Sequence, residues 1–189
     1  MAHHVCPWWL GCLLVSPLRR LLEGPAKILG PFVRDGMTVL EPGPGMGFFT
    51  LDLARMVGDS GRVIAVDLQP RMLAGLKRRA AKAGLLARID ARLAQPDRLG
   101  VADLAGRADF VFAFHVVHEL PSAEAFFAEA AEVLKPQGIL LLVEPAGHVP
   151  LAQFEQEVGA AVAAGLTVTA RPEIRRSRAV LMSKLAPAV

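Results

Sequence analysis

The chain of 189 residues contains no tyrosine and no asparagine, so chemistry built on a phenolic hydroxyl or an asparagine amide is excluded. Cysteine is nearly absent. Cys6 and Cys12 alone cannot staple a fold of this size, and no basic segment followed by a small-residue cleavage site is recognisable, so a reducing, cytoplasmic setting is expected. Long apolar runs are missing too. No stretch approaches the roughly 18 uninterrupted apolar residues of a membrane-spanning helix, and stable membrane insertion is not expected. Nor is there a strong excess of one charge: the formal net charge is +3, with Lys and Arg spread along the chain, which does not favour nucleic acid as a partner.

What is present describes a globular domain. Hydrophobic residues make up 53% and charged residues 21%, enough to bury a core and too apolar for disorder. Residues 1–34 read as an apolar segment followed by short helices covering a site, and residues 35–189 as one globular unit. The segment Met1–Ser16 carries no charge except on His3 and His4, and Trp8, Trp9 and the following leucines suit an apolar lid or a surface that packs on a second copy. His3, His4, Cys6 and Cys12 invite a soft-metal reading. Their C-x5-C spacing lacks the usual C-x2-C, however, and free cysteine is commonly a small buried hydrophobe, so no metal site is expected.

The chain is organised around T-V-L-E-P-G-P-G-M-G-F-F-T, residues 38–50. A short apolar strand ends in Glu41, three glycines follow at alternate positions, Gly43, Gly45 and Gly47, and a helical pattern begins. Glycine admits positive φ and lets a ligand approach backbone without meeting a Cβ. A second strand, 62–66, ends in Asp67 and Leu68, and Asp67 lies 20 residues beyond Gly47. That is where nucleotide-binding folds place the acid that accepts from ribose hydroxyls. A nicotinamide cofactor would prefer G-x-G-x-x-G, which is not the spacing here.

The pattern E-x-G-x-G-x-G resembles motif I of class I S-adenosylmethionine-dependent methyltransferases, of the type 11 or quinone-biosynthesis-like group. A helix from Ser122, then K-P-Q-G, then the strand L-L-L-V-E repeats the resemblance further along the chain. T-V-T-A-R-P-E-I, residues 167–174, and S-R-A-V-L-M-S-K read as two strands of a terminal hairpin turning at Arg175-Arg176, and the resemblance implies a Rossmann-like α/β fold: seven mostly parallel strands in the order 3-2-1-4-5-7-6, with helices on both faces. It implies S-adenosyl-L-methionine as cofactor, with Glu41 holding its cationic methionine end, the glycines, Asp67 and Leu68 forming the cradle, and Gln95 standing where an acid often meets adenine.

The fourth strand, 108–114, delivers H-V-V-H-E-L at its carboxyl end, where ligands of open α/β sheets bind. His115 is assigned to the cofactor pocket and His118 to proton abstraction, with His148 and Glu144, after the fifth strand, as comparable candidates. The missing Asn and Tyr exclude the Asn/Asp-Pro-Pro-Tyr loop of similar enzymes that methylate nucleobase or glutamine nitrogens. The expected activity is methyl transfer to a small, largely apolar acceptor, without a metal. Two alternatives stand beside it: an RNA or protein methyltransferase, suggested by Arg171, Arg175, Arg176 and Arg178, and a non-catalytic cofactor-binding subunit, suggested by the apolar N-terminus.

Overall fold

The computed structural model describes residues 24–185. The apolar N-terminal segment, with its tryptophans, its cysteines and its expected lid or dimer surface, lies outside the described residues. Seven strands form one sheet in the order β3-β2-β1-β4-β5-β7-β6, the expected order. The chain divides into two compact units, one ending at Ala94 and the other starting at Gln95.

In the first unit, helix α1 (Pro25–Leu29) leads to β1 (Thr38–Pro42), α2 (Thr50–Met56), β2 (Arg62–Asp67), α3 (Pro70–Lys82) and β3 (Ile89–Leu93). β1 and β2 are near-continuous apolar runs because a parallel strand is covered on both faces. They pair in parallel, Leu40 with Ile64 and Glu41 with Ala65, and β2 pairs in parallel with β3. Leu29, Leu40, Leu53, Ile64 and Leu76 are fully buried in this unit. At about 25 cal/mol per Å² of apolar surface, each such side chain stabilises by about 2 kcal/mol. α2 stops at Val57 because Gly58 turns to φ +67°, a conformation that costs a residue with a Cβ.

The second unit holds β4 (Ala108–Phe114), α4 (Ala123–Val133), β5 (Leu134–Pro145), α5 (Leu151–Ala163), β6 (Leu166–Ala170) and β7 (Ser177–Lys184). Ser122 caps α4, its hydroxyl accepting from Ala125 N at 3.0 Å. β4 and β5 are parallel, and β7 runs antiparallel to both β5 and β6.

Two local expectations are corrected. Lys135-Pro136-Gln137-Gly138 is no separate turn. α4 passes directly into β5 at Leu134, and these four residues are an irregularity inside the strand, with Gln137 at φ +66° and the pairing slipping between Ala108 and Phe110. Lys135 Nζ anchors it to Asp109 Oδ1 at 2.6 Å. β6 ends at Ala170, where the sequence suggested a strand reaching Ile174. Pro172 has no N–H to give a ladder, so the chain leaves the sheet there.

Candidate functional site

The glycine turn at the end of β1 combines two different uses of glycine. Gly43, Gly45 and Gly47 all take positive φ, +67°, +54° and +83°. At Gly47 a Cβ would meet Leu76 Cδ1 at 2.4 Å, so this glycine lets α3 close on the turn. At Gly45 a Cβ would meet nothing within 4 Å, so space above the backbone is open. α2 begins only at Thr50, three residues beyond the last glycine. Arg79, on α3, steadies the turn by donating from Nη1 to the Met46 carbonyl at 2.5 Å.

Asp67 closes the turn from β2. Its Oδ2 accepts from Gly45 N at 3.1 Å and its Oδ1 from Gln69 N at 2.8 Å, while half-buried Leu68 lies between the anchors. Each carboxylate oxygen has two acceptor positions, so one on each remains for a hydroxyl of a bound diol. Burial raises the Asp67 pKa above the ordinary carboxylate value, and the two backbone donors oppose that rise. The sequence pointed to a ligand-binding acid; the fold also makes Asp67 the strut of the glycine turn.

Glu41 is 4% exposed, and its Oε2 has no hydrogen-bond partner among the described residues. Burial pushes its carboxyl up to about 8; the Asp67 charge adds to the rise, and the neighbouring Thr50 hydroxyl eases it without closing a hydrogen bond of ordinary geometry. An uncompensated buried acid costs stability, which makes Glu41 a candidate partner for a cationic ligand.

The second unit gathers a different cluster at the carboxyl ends of β4 and β5. His115, at φ +55°, lies against the Phe114 ring with centroids 4.1 Å apart, and its Nε2 meets Ser177 Oγ at 3.0 Å. Val116 and the single turn Val117–Glu119 follow, bending the backbone so that Val117 N donates to Glu144 Oε1 at 2.8 Å. His118 Nδ1 meets Glu144 Oε2 at 2.5 Å, and its ring stands edge-on to that of His148, centroids 5.2 Å apart. His118, His148 and Glu144 are thus brought together.

Gln95 is exposed and exchanges backbone hydrogen bonds with Arg98, forming a small bridge after β3. Glu157 was missed from the sequence. It sits on α5 with Phe154, Val158 and Ala161, an acid on the apolar stripe of its helix, and that breach of pattern was the available signal. Arg79 was missed as well; nothing in its spacing distinguishes it from the other basic residues of α3. Among the described residues no group of three or more His, Cys, Asp or Glu could hold a metal ion, and no helix is long and apolar enough to cross a membrane.

With this geometry in view, the comparisons with known proteins are specific. A family model described as a methyltransferase domain matches residues 40–142. The chain is 30% identical over 112 residues to the ubiquinone/menaquinone biosynthesis C-methyltransferase of Enterobacter sp. (strain 638), covering 59% of this chain and 44% of that protein. It is 34% identical over 103 residues to the arsenite methyltransferase of Halobacterium salinarum, covering 54% and 26%. The chain therefore spans less than half the length of these curated relatives. The crystal structure of a SAM-dependent methyltransferase from Aquifex aeolicus superposes with a TM-score of 0.84 at 27% identity, covering 96% of this chain and all of that one.

Proposed function

Since the chain belongs to the methyltransferase-domain family, we propose that it transfers a methyl group from S-adenosyl-L-methionine to a small, largely apolar acceptor. The observation that carries the reading is the buried, unpartnered Oε2 of Glu41 beside the open face of Gly45. A carboxylate there suits the cationic amino end of the cofactor, and the spare acceptor positions of Asp67 suit its ribose hydroxyls. Gly43, Gly45, Gly47 and Leu68 complete the cradle, and Gln95 and His115 are the further candidates for contact with the cofactor.

Bound S-adenosyl-L-methionine supplies a methyl group already activated on a sulfonium, so the protein's share of the chemistry is orientation and, where the acceptor is an acid, removal of its proton. His118 is the candidate for that proton, with His148 beside it. The quinone-pathway relative supports a small ring acceptor. The RNA alternative loses support from its own residues: Arg171 is bidentate to Glu155 at 2.7 and 2.9 Å, and Arg178 donates to the Ala146 and Val149 carbonyls.

Calorimetry should find S-adenosylmethionine and its demethylated product binding at about micromolar Kd, roughly −8 kcal/mol. Release of S-adenosylhomocysteine should then appear with phenols and hydroquinones in an acceptor panel that also holds arsenite, a thiol and a short RNA. No cofactor binding, or turnover of RNA alone with steep salt dependence, would overturn the proposal.

A further inference from the structure

The hydrogen bonds at the carboxyl ends of β4 and β5 are divided unevenly between two buried acids. Glu144 is completely buried and receives three donors: Val117 N at 2.8 Å, His118 N at 3.4 Å and His118 Nδ1 at 2.5 Å. Glu157, 4% exposed on α5, receives only Gln153 Nε2 at 3.4 Å among the described residues, and its Oε2 has no partner among them. His118 Nε2 stands 4.0 Å from Glu119 Oε1, beyond hydrogen-bond reach. Among the described residues, one ring nitrogen of His118 is thus fixed while the other is left without a hydrogen bond.

We propose that Glu144 positions His118 as the proton acceptor of methyl transfer by holding its Nδ1–H, so that Nε2 carries the lone pair, while Glu157 keeps a proton of its own beside them. The inference rests on the methyl-transfer reading above. Two buried carboxylates close together do not both ionise cheaply, and the proton goes to the one with the poorer donors. Three donors converge on Glu144, and Glu157 has one long one. Glu157 is the acid left to hold a proton: burial pushes it up to about 7, the Glu144 charge adding, with Gln153 and His118 opposing.

The surroundings make His118 a stronger base than an isolated imidazole. Burial is the largest single influence and acts to lower its pKa. The hydrogen bond and charge of Glu144, with the charge of Glu119 and, once it ionises, that of Glu157, together outweigh burial and raise it. Glu144 faces the ring from β5, Glu119 from the turn after β4, Glu157 from α5 and His148 from the loop before α5. Arg178, opposite Glu144 in the β5–β7 register, directs its guanidinium to the Ala146 and Val149 carbonyls. In the step itself the acceptor's hydrogen passes as a proton to His118 Nε2 and the acceptor atom forms the new bond to the methyl carbon. The electron pair of the broken carbon–sulfur bond stays on sulfur, and the imidazolium afterwards returns its proton to water.

The test is long-range nitrogen–proton NMR of the full chain with labelled histidine, which needs no acceptor. Native His118 should carry its proton on Nδ1 when neutral and titrate above the ordinary value of about 6.5. Glu144→Gln should lower that midpoint by about one unit, the effect of losing an adjacent charge, whereas Glu144→Asp should keep the native direction of shift. Glu157→Gln should remove a second inflection near the value expected for Glu157. A neutral His118 protonated on Nε2 overturns the proposal in the native protein alone, and so does a midpoint that Glu144→Gln leaves in place. On an acceptor from the panel, the acid limb of the kcat/KM profile should move to lower pH in Glu144→Gln by the amount the NMR midpoint moves. A purely structural role would lower the rate without moving the limb, and would refute the assignment. Calorimetry with S-adenosylhomocysteine separates the two ideas: failure of native binding sinks the methyl-transfer reading and leaves the tautomer result standing, while normal binding with the wrong tautomer sinks only the relay.

Discussion

Glu41→Gln should make the free protein more stable and the cofactor weaker, and the size of the first effect follows from burial. In the folded chain this carboxyl is pushed up to about 8 from an ordinary 4.5. A raised acid contributes its full share of stability below the unfolded value, and loses it progressively as pH climbs toward the folded value, because the unfolded chain ionises first. At pH 7 the gap above 4.5 is about 2.5 units, or about 3 kcal/mol at about 1.4 kcal/mol per unit. Glutamine stays neutral throughout and is close in shape to the protonated acid, so native and variant should nearly coincide around pH 4.5 and diverge as pH rises. For a chain of this length about 3 kcal/mol corresponds to about 6–12 °C in Tm. Thermal and urea unfolding of both proteins from pH 4.5 to 9 measures the divergence. Calorimetry on the same pair should show S-adenosylmethionine binding about 10- to 100-fold more weakly to the variant, the worth of a charged hydrogen bond. Parallel stability curves would refute the buried-acid argument, and undiminished affinity would refute the assignment of Glu41 to the cationic end.

The two glycines separate binding from packing. Gly45→Ala, at φ +54° with open space around its Cβ, should cost the fold only about 1–2 kcal/mol of backbone strain yet weaken cofactor binding markedly in calorimetry. Gly47→Ala adds a Cβ 2.4 Å from Leu76 Cδ1 to strain at φ +83°, and should lower the denaturant midpoint by an amount worth about 2–4 kcal/mol. Asp67→Asn should fail on both counts, because the amide keeps one acceptor for the donors of Gly45 and Gln69: about 1–2 kcal/mol of stability in urea unfolding, together with a loss of cofactor affinity. An unchanged urea midpoint in that variant would remove Asp67 from the turn.

The parts of the fold that the sequence made legible are those whose local chemistry and global position agree. β4 spans residues 108–114 as its apolar run predicts, Ser122 caps its helix, and the 20-residue interval from Gly47 to Asp67 brings the acid onto the Gly45 amide. The misread segments are those where a local signal had a second structural solution. K-P-Q-G reads as a helix stop and is one, but a sheet can absorb the extra residues as an irregularity when a side chain such as Lys135 ties it to the neighbouring strand β4. Glu157 was overlooked because an acid in a helix is usually solvated; only its place between Phe154 and Val158 marks it as buried. The partnership of Glu144 with His118 joins residues 26 positions apart, and spacing alone does not reveal which of several acids meets which histidine.

Four of the five buried acids among the described residues fall into two pairs with the same division of roles, while the fifth, Asp52, meets Arg55 Nη1 at 3.2 Å. Asp67 and Glu144 are anchored: each accepts two backbone N–H groups and so fixes the conformation of a loop at a strand end. Glu41 and Glu157 are orphaned: each has an Oε2 without a partner and a pKa pushed up, to about 8 and about 7, by burial first. An anchored acid offsets its desolvation with donors in the folded chain, so removing it leaves N–H groups stranded and the fold weakened. An orphaned acid has no such offset, so its removal relieves the free protein. A residue that destabilises the chain containing it persists where something outside the chain completes it, which is the general form of the exchange between stability and activity. That logic assigns the structural work to Asp67 and Glu144, and leaves Glu41 as the candidate partner of a cation and Glu157 as the acid that holds a proton.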